Sequence, residues 1–303
     1  MTSRFIAIAA AVLLDLFAVS LDAQITQQAL SQPTPQTRQQ LTKALQQYRE
    51  KKDLHGESLT LLQLGIAETG LGNIDSARNN LTEAARKMRA QNDPVGAWLA
   101  LLSLSQIEVA LKRPAEAIPH LEEAFTVIDE AKVSTAPFSL KTFMAFGSVS
   151  GLSPQMLQML NESNSAAVKQ MMFQYSLEPV THDLYGSVLT EVGQLEKAEA
   201  ELKAAAAGST LALGMYDFSV ESHFGELRFR QQRYDEARTH YVKALSASSK
   251  VAQPPLVDQQ IKAGIYDRLA RLETVTGHPD EAKRWSEKVR DLGKSRTENR
   301  QPE

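Results

Sequence analysis

The sequence predicts an all-α protein built as an array of antiparallel helix pairs, and three observations carry that expectation. A large residue followed by glycine recurs at a spacing near 40 residues or a multiple of it, as Leu64-Gly65, Tyr185-Gly186 and Phe224-Gly225. Twelve residues after each glycine stands an alanine, Ala77, Ala198 or Ala237, followed by Leu81 and Ala84, Leu202 and Ala205, or Tyr241 and Ala244. Within each unit the large residues follow three- and four-residue spacing, the period of a helix face. Self-similarity at a period of about 20 to 50 residues is the signature of stacked supersecondary units rather than one globular core.

The amino terminus reads differently from the array. Residues Phe5 to Leu14 form an unbroken apolar run behind Arg4, followed by small residues at Ala18, Ser20 and Ala23. That order predicts a secretory signal peptide over 1–23, cleaved after Ser20 or Ala23, although Asp15 interrupts the stretch. An uncleaved anchor or a buried amphipathic helix is the competing reading. The run is shorter than an ordinary membrane-spanning helix, and no later stretch approaches that length. From 24 to 35 the composition turns to Gln, Thr, Ser and Pro, a flexible spacer that becomes helical near Pro35.

Residues Gln36 to Lys51 place Leu41, Ala44, Leu45 and Tyr48 on one helix face, a lone helix capping the array. In the first full unit, near Ser58, Gly65 and Ala77 are small where the helices cross, so the backbones can approach. Leu64 and Leu81 fill the space beside the crossing, and Gly72-Asn73 supplies the turn. The second unit, near Trp98, repeats this with Leu101, Leu104, Ser105, Ala117, Leu121 and Ala124 around a turn at Lys112-Arg113-Pro114. Later units start near Pro179, Phe218 and Ala263. Between 133 and 178 the pattern fades. Phe146-Gly147 keeps the spacing, so one irregular repeat is expected there, its second helix starting at Ser153-Pro154 with Met159 in place of alanine. Met144, Met156, Met159, Met171 and Met172 fall in the same stretch, as filler of an irregular junction or as an adaptable surface. The charged segment 294–303 is expected to be a disordered tail.

These residues closely resemble the tetratricopeptide repeat. Gly193-Gln-Leu-Glu-Lys-Ala198-Glu and Arg233-Tyr-Asp-Glu-Ala237-Arg match its most recognisable stretch, the inter-helix turn with the following alanine. The units run near 40 residues, with boundaries such as Lys52-Asp53-Leu-His-Gly56-Glu57 and Gln91-Asn92-Asp93-Pro-Val-Gly96, as in the longer-helix variant of kinesin light chains and many bacterial proteins. The resemblance implies a right-handed superhelical solenoid of about five to six repeats over 36–293. Glu68, Glu108 and Arg228 depart from it, standing where an aromatic is usual at the eleventh place of the unit.

No residue pattern asks to be an active site. The six histidines stand apart at no metal-ligand spacing, and Gly65, Gly70 and Gly72 lie in a helix and its exit turn rather than in a phosphate-cradling loop. Glu122-Glu123 and Glu199 with Glu201 read as solvated helix charges. Cysteine is absent, which excludes thiol chemistry and thiolate metal sites, and a net charge of −3 argues against nucleic acid. No catalytic residue, cofactor or metal is therefore expected.

What remains is a partner surface. The resemblance implies that the first helix of each unit lines a concave groove. In the first unit this gives Leu59, Leu62, Ile66 and Thr69, and in the second Leu99, Leu102, Gln106 and Val109. Farther on it gives Asp183, Ser187, Thr190, Glu191, Ser222, Glu226, Phe229, Arg230, Asp267 and Arg271. Apolar groove residues fit an extended or helical peptide. The rival reading buries Leu59 to Leu102 as core and moves the partner site to Phe229, Arg230 and Arg271. The function expected is a non-catalytic scaffold for a protein or peptide, exported to the periplasm of a Gram-negative bacterium or secreted. The alternatives are an envelope-assembly factor tethered to the membrane by a retained amino-terminal helix, and a regulatory partner of a separate enzyme.

Overall fold

The structure, a computed structural model, describes residues 33–133, 177–211, 217–250 and 255–298. The expected signal peptide, most of the expected spacer, the expected irregular repeat with its five methionines and residues 299–303 lie outside the described residues. Among the described residues the chain is all-helical, and consecutive helices pack in pairs as in a helical solenoid. The helices are α1 (Pro35–Glu50), α2 (Leu54–Leu71), α3 (Ile74–Ala90), α4 (Pro94–Ala110), α5 (Pro114–Val133) and α6 (Glu178–Glu191). They continue as α7 (Leu195–Leu211), α8 (Asp217–Arg230), α9 (Tyr234–Ser248), α10 (Pro255–Val275) and α11 (Pro279–Glu298). The chain divides into two compact units, Met1–Thr181 and His182–Glu303.

The recurring glycines mark the tightest approach within each pair. A methyl group built on Gly65 would lie 2.5 Å from Leu81 Cγ and 3.3 Å from the Ala77 carbonyl oxygen. Gly186 stands in the same relation to Leu202 and Ala198, at 2.7 and 3.2 Å, and Gly225 to the ring of Tyr241, at 2.5 Å. Ala77, Ala198 and Ala237 are fully buried, so the small residues sit where the two helices cross, as their register predicts.

Local signals set the helix ends. Asp53 Oδ1 accepts from Gly56 N at 2.9 Å and Asp93 Oδ1 from Gly96 N at 3.1 Å, so each aspartate caps the first helix of a pair. Pro94 occupies the first turn of α4, where its missing N–H costs nothing. The turn inside a pair passes through a left-handed residue: Gly72, Gly193 and Gly277 at φ near +80°, and Lys112 and Gln232 at +64° and +60°. Helix α11 continues to Glu298, so the segment expected as a tail from Lys294 starts out helical. Lys294 to Glu298 contains neither Gly nor Pro, and upstream Arg284–Glu281 and Arg290–Glu287 support the same helix.

In the first unit the chain leaves α5 and returns to the same place. Lys132, near the end of α5, pairs with Glu178, and Trp98 Nε1 on α4 donates to Thr181 Oγ1 at 2.8 Å.

The charged eleventh places have partners. Glu68 meets Arg38 of α1 at 3.5 Å, and Glu108 meets Arg78 of α3 at 2.5 Å. Arg228 meets Glu199 of α7 at 2.8 Å, and Glu273, at the equivalent place of α10, meets Arg238 of α9 at 2.7 Å. In every case the partner directly follows the small residue at the crossing of the preceding pair: Thr37, Ala77, Ala198 or Ala237. The eleventh-place side chains are 5–9% exposed, so these are rungs between adjoining pairs rather than surface ion pairs. At Glu199–Arg228 the signs are exchanged. The Arg228 hydrogen bond holds the Glu199 carboxyl down to about 2 from 4.5, so its contribution to stability is present above the ordinary carboxylate range and is lost as pH falls from there towards 2.

The exchanged rung predicts a charge-swap experiment. Glu108→Arg sets two guanidiniums against each other in a nearly buried place and should cost about 3 kcal/mol of unfolding free energy. Adding Arg78→Glu should recover about half of that or more, read by urea unfolding. A double variant as unstable as the single one would show that the rung has no pairing specificity.

Candidate interaction face

The first helices of neighbouring pairs touch each other, α2 with α4 and α8 with α10, and so form one layer within each unit. In the first unit this layer is not an open apolar groove. Leu62 and Leu102 are fully buried and Leu99 nearly so. These three residues are core, which corrects the groove reading at their positions. The physical reason is that α4 has no polar face over most of its length: Val95 to Ser105 carries no charged residue, and every residue in that run is buried. A helix apolar all round must be enclosed. The first turn of α6 closes over part of it through the Trp98–Thr181 bond. Leu59, Ile66 and Gln106 remain half-buried.

In the second unit the structure brings Phe229, Arg230 and Arg271 together. Their centre is Glu226 on α8, which accepts from Arg230 Nε at 3.2 Å, from Arg271 Nη2, and from the Tyr241 hydroxyl at 3.2 Å. The Arg271 guanidinium lies 4.4 Å above the Phe229 ring, a cation–π contact. Burial pushes the Glu226 carboxyl upward, but the charges of Arg271 and Arg268 and the arginine hydrogen bonds outweigh it, so its value is lowered and it is ionised at neutral pH. Tyr241 is pushed well above its ordinary value, by burial first and by Glu226 second, and stays a phenol. Arg230 and Arg271 keep nearly half of their side-chain surface exposed.

Four of the histidines are paired, which their isolation in the sequence did not indicate. His182 Nδ1 meets Glu201 at 2.6 Å, and His240 Nδ1 meets Glu221 at 2.6 Å, the same two places of successive units with the residue types exchanged. His278 meets Glu273 at 3.0 Å. His223 Nδ1 meets Asp183 Oδ1 at 2.7 Å, while Ser219 Oγ donates to Asp183 Oδ2 at 2.5 Å. This trio has the residue types of an acyl-transfer relay in the wrong order. Serine and histidine both spend their bond on the carboxylate, so no imidazole nitrogen takes the serine proton. Among the described residues no group of three or more His, Asp or Glu is placed to hold a metal ion, and no helix is long and apolar enough to cross a membrane.

No sequence family matches the chain, and no curated protein matches it in sequence. Among solved structures a likeness does appear. The fold is similar to that of BtubC (BKLC) from P. vanneervenii, a kinesin-light-chain-like protein of the tetratricopeptide type. The superposition has a TM-score of 0.55, covers 88% of this chain and 92% of the other, and carries 12% sequence identity. At that identity the likeness is one of fold, and it agrees with the tetratricopeptide-like repeat read from the glycine and alanine register.

Burial of the two central leucines predicts that they are structural. Leu62→Ser and Leu102→Ser each remove a fully enclosed side chain and add a hydroxyl, and each should cost about 3 kcal/mol or more. Thermal unfolding followed by circular dichroism checks this. Melting within a degree or two of the parent for both variants would return these positions to an open groove.

Proposed function

We propose that this chain is a non-catalytic adaptor that binds a protein or peptide partner through the first-helix layer, chiefly in the second unit. A helical solenoid of this type is a protein-interaction scaffold by its architecture, since stacked pairs present a long continuous surface without needing an enclosed pocket. The observation that carries the reading is the contrast between the two units. In the first, the central leucines are spent on core packing. In the second, two guanidiniums are held by Glu226 and left partly exposed, one of them over the Phe229 ring, and aromatic and arginine side chains are the residues that anchor interfaces. The Ser219–Asp183–His223 arrangement, unable to activate its hydroxyl, supports the non-catalytic part.

We further propose that the adaptor works outside the cytoplasm, in the periplasm or secreted, on the strength of the apolar run Phe5–Leu14 and the small residues after it. Retention of that run as an anchor would instead make the protein a membrane-tethered assembly factor.

Two experiments test these proposals. A photo-crosslinking residue at Phe229 or Arg271, in cells of the native host, should yield a discrete adduct that the same residue at Arg86 or Val242, on second helices, does not. Adducts equally abundant from all four positions would defeat the first-helix reading. Residues 1–30 fused to a reporter active only outside the cytoplasm should give activity that charged residues at Leu13 and Leu14 abolish. Equal activity from both fusions would remove export, and the mass of the mature amino terminus separates cleavage from retention.

A further inference from the structure

Between Gly56 and Glu68 every residue of α2 is buried except Leu59, Gln63 and Ile66. With the half-buried Gly70 these fall at spacings of four, three and four residues, so they form one stripe along the helix, and none of them is charged. The chain's own entry rests on one end of that stripe. A methyl group built on Gly70 would lie 2.3 Å from Pro33 Cγ, so the ring sits directly against the backbone of α2. Glycine permits that approach, at a cost of about 1 kcal/mol against alanine inside a helix. The corresponding places of the other first helices hold Ala110, Glu191, Arg230 and Val275, so the glycine is particular to the first pair. Thr34 fixes the adjoining start of α1: its backbone is extended, at φ −117° and ψ 158°, and its Oγ1 accepts from Thr37 N at 3.1 Å.

We propose that residues 24–32 of the same chain lie along this stripe and cover it, with Leu30 over Ile66. The inference concerns the first unit and does not depend on the adaptor reading of the second. From Gly70 to Leu59 the stripe runs eleven residues of helix, about 16 Å. Nine extended residues span about 30 Å, so the segment is long enough, and Leu30, three residues before Pro33, reaches about 10 Å along it. The segment Gln-Ile-Thr-Gln-Gln-Ala-Leu-Ser-Gln carries no charge, as the stripe carries none, and Ile25, Ala29 and Leu30 supply apolar contacts. A free peptide would have to offset the full cost of association with these few contacts. A tethered segment acts at an effective concentration in the millimolar range, and Pro33 has already made its first contact. The first unit thus presents this stripe to its own chain, and a foreign segment must displace residues 24–32 to reach Leu59 and Ile66.

The test exploits a chain without cysteine, in which an introduced pair reports a single approach. In the full chain, Leu30→Cys combined with Ile66→Cys should form an intramolecular disulfide under mild oxidation about tenfold faster, or more, than Leu30→Cys combined with Gln39→Cys. Gln39 is exposed on α1 and far nearer to Leu30 along the chain, so a tether without a seat would favour it. Adding Gly70→Leu, which puts a side chain where Pro33 rests, should slow the Leu30–Ile66 closure by about fivefold or more while the helical circular dichroism signal is retained. Ile25→Asp with Ala29→Asp should slow it likewise and leaves every described residue unchanged. Equal rates for the two cysteine pairs, or closure undiminished by both sets of substitutions, overturns the proposal. Disulfide-linked dimers in place of the intramolecular product, or from a mixture of the two single-cysteine variants, would assign the stripe to a second copy and overturn it as well.

Discussion

Everything in this fold depends on how closely two helices of a pair can approach. A glycine in the first helix lies against an alanine in the second, and the space that a β-carbon would need is filled by Leu81, Leu202 or Tyr241 from the facing helix. Dispersion and burial reward that contact only when both backbones are close, so the small residues fix the crossing point and every other position takes its role from it. The charged rungs are the clearest case. Each eleventh-place charge lies three residues beyond the small residue of a first helix, and its partner lies one residue beyond the small residue of the preceding second helix. Moving the crossing by one residue would turn all of these groups away from each other.

The same dependence explains what the sequence could and could not convey. The pairing of helices, the left-handed turn at Gly72, and the caps at Asp53 and Asp93 are local, decided within a few residues, and they read directly. The rungs do not. Glu108 finds its partner 30 residues upstream and Arg238 finds its own 35 residues downstream, each in a different pair, so a register aligned on apolar positions registers Glu68, Glu108 and Arg228 only as departures from an aromatic norm. A signal was nonetheless present, in the exchange of sign between Arg78 with Glu108 and Glu199 with Arg228. The histidine pairs carried a similar one, since His182–Glu201 and Glu221–His240 have the same separation with residues exchanged.

The candidate site was legible in part. Phe229 and Arg230 stand on one helix and Arg271 on another, 41 residues beyond Arg230, and the groove places implied by the resemblance had already grouped them. Glu226 as the common partner of the two arginines and the phenol of Tyr241 behind it needed coordinates, because they depend on side-chain direction rather than on which face a residue occupies. For Leu62, Leu99 and Leu102 the core reading, left open beside the groove reading in the sequence, is the one their burial fits. The resemblance placed them in a groove, but the composition of α4, with no charge between Val95 and Ser105, already required a helix covered on all sides. Amphipathicity of the whole helix outweighs the assignment of any single place in a repeat.

The exchanged rung also bears on the order of the array. Repeated units that fit one another equally well can dock with the wrong neighbour, skipping a pair and leaving it looped out, a hazard shared by all quasi-periodic chains during folding. Here the error carries an electrostatic penalty. If α7 docked against α10 in place of α8, Glu199 would meet Glu273, carboxylate against carboxylate in a nearly dehydrated position, while Arg228 and Arg238 lost their counter-charges. A single reversal of polarity therefore gives the two junctions of the second unit different addresses, whereas the two rungs of the first unit share one polarity and carry no such distinction.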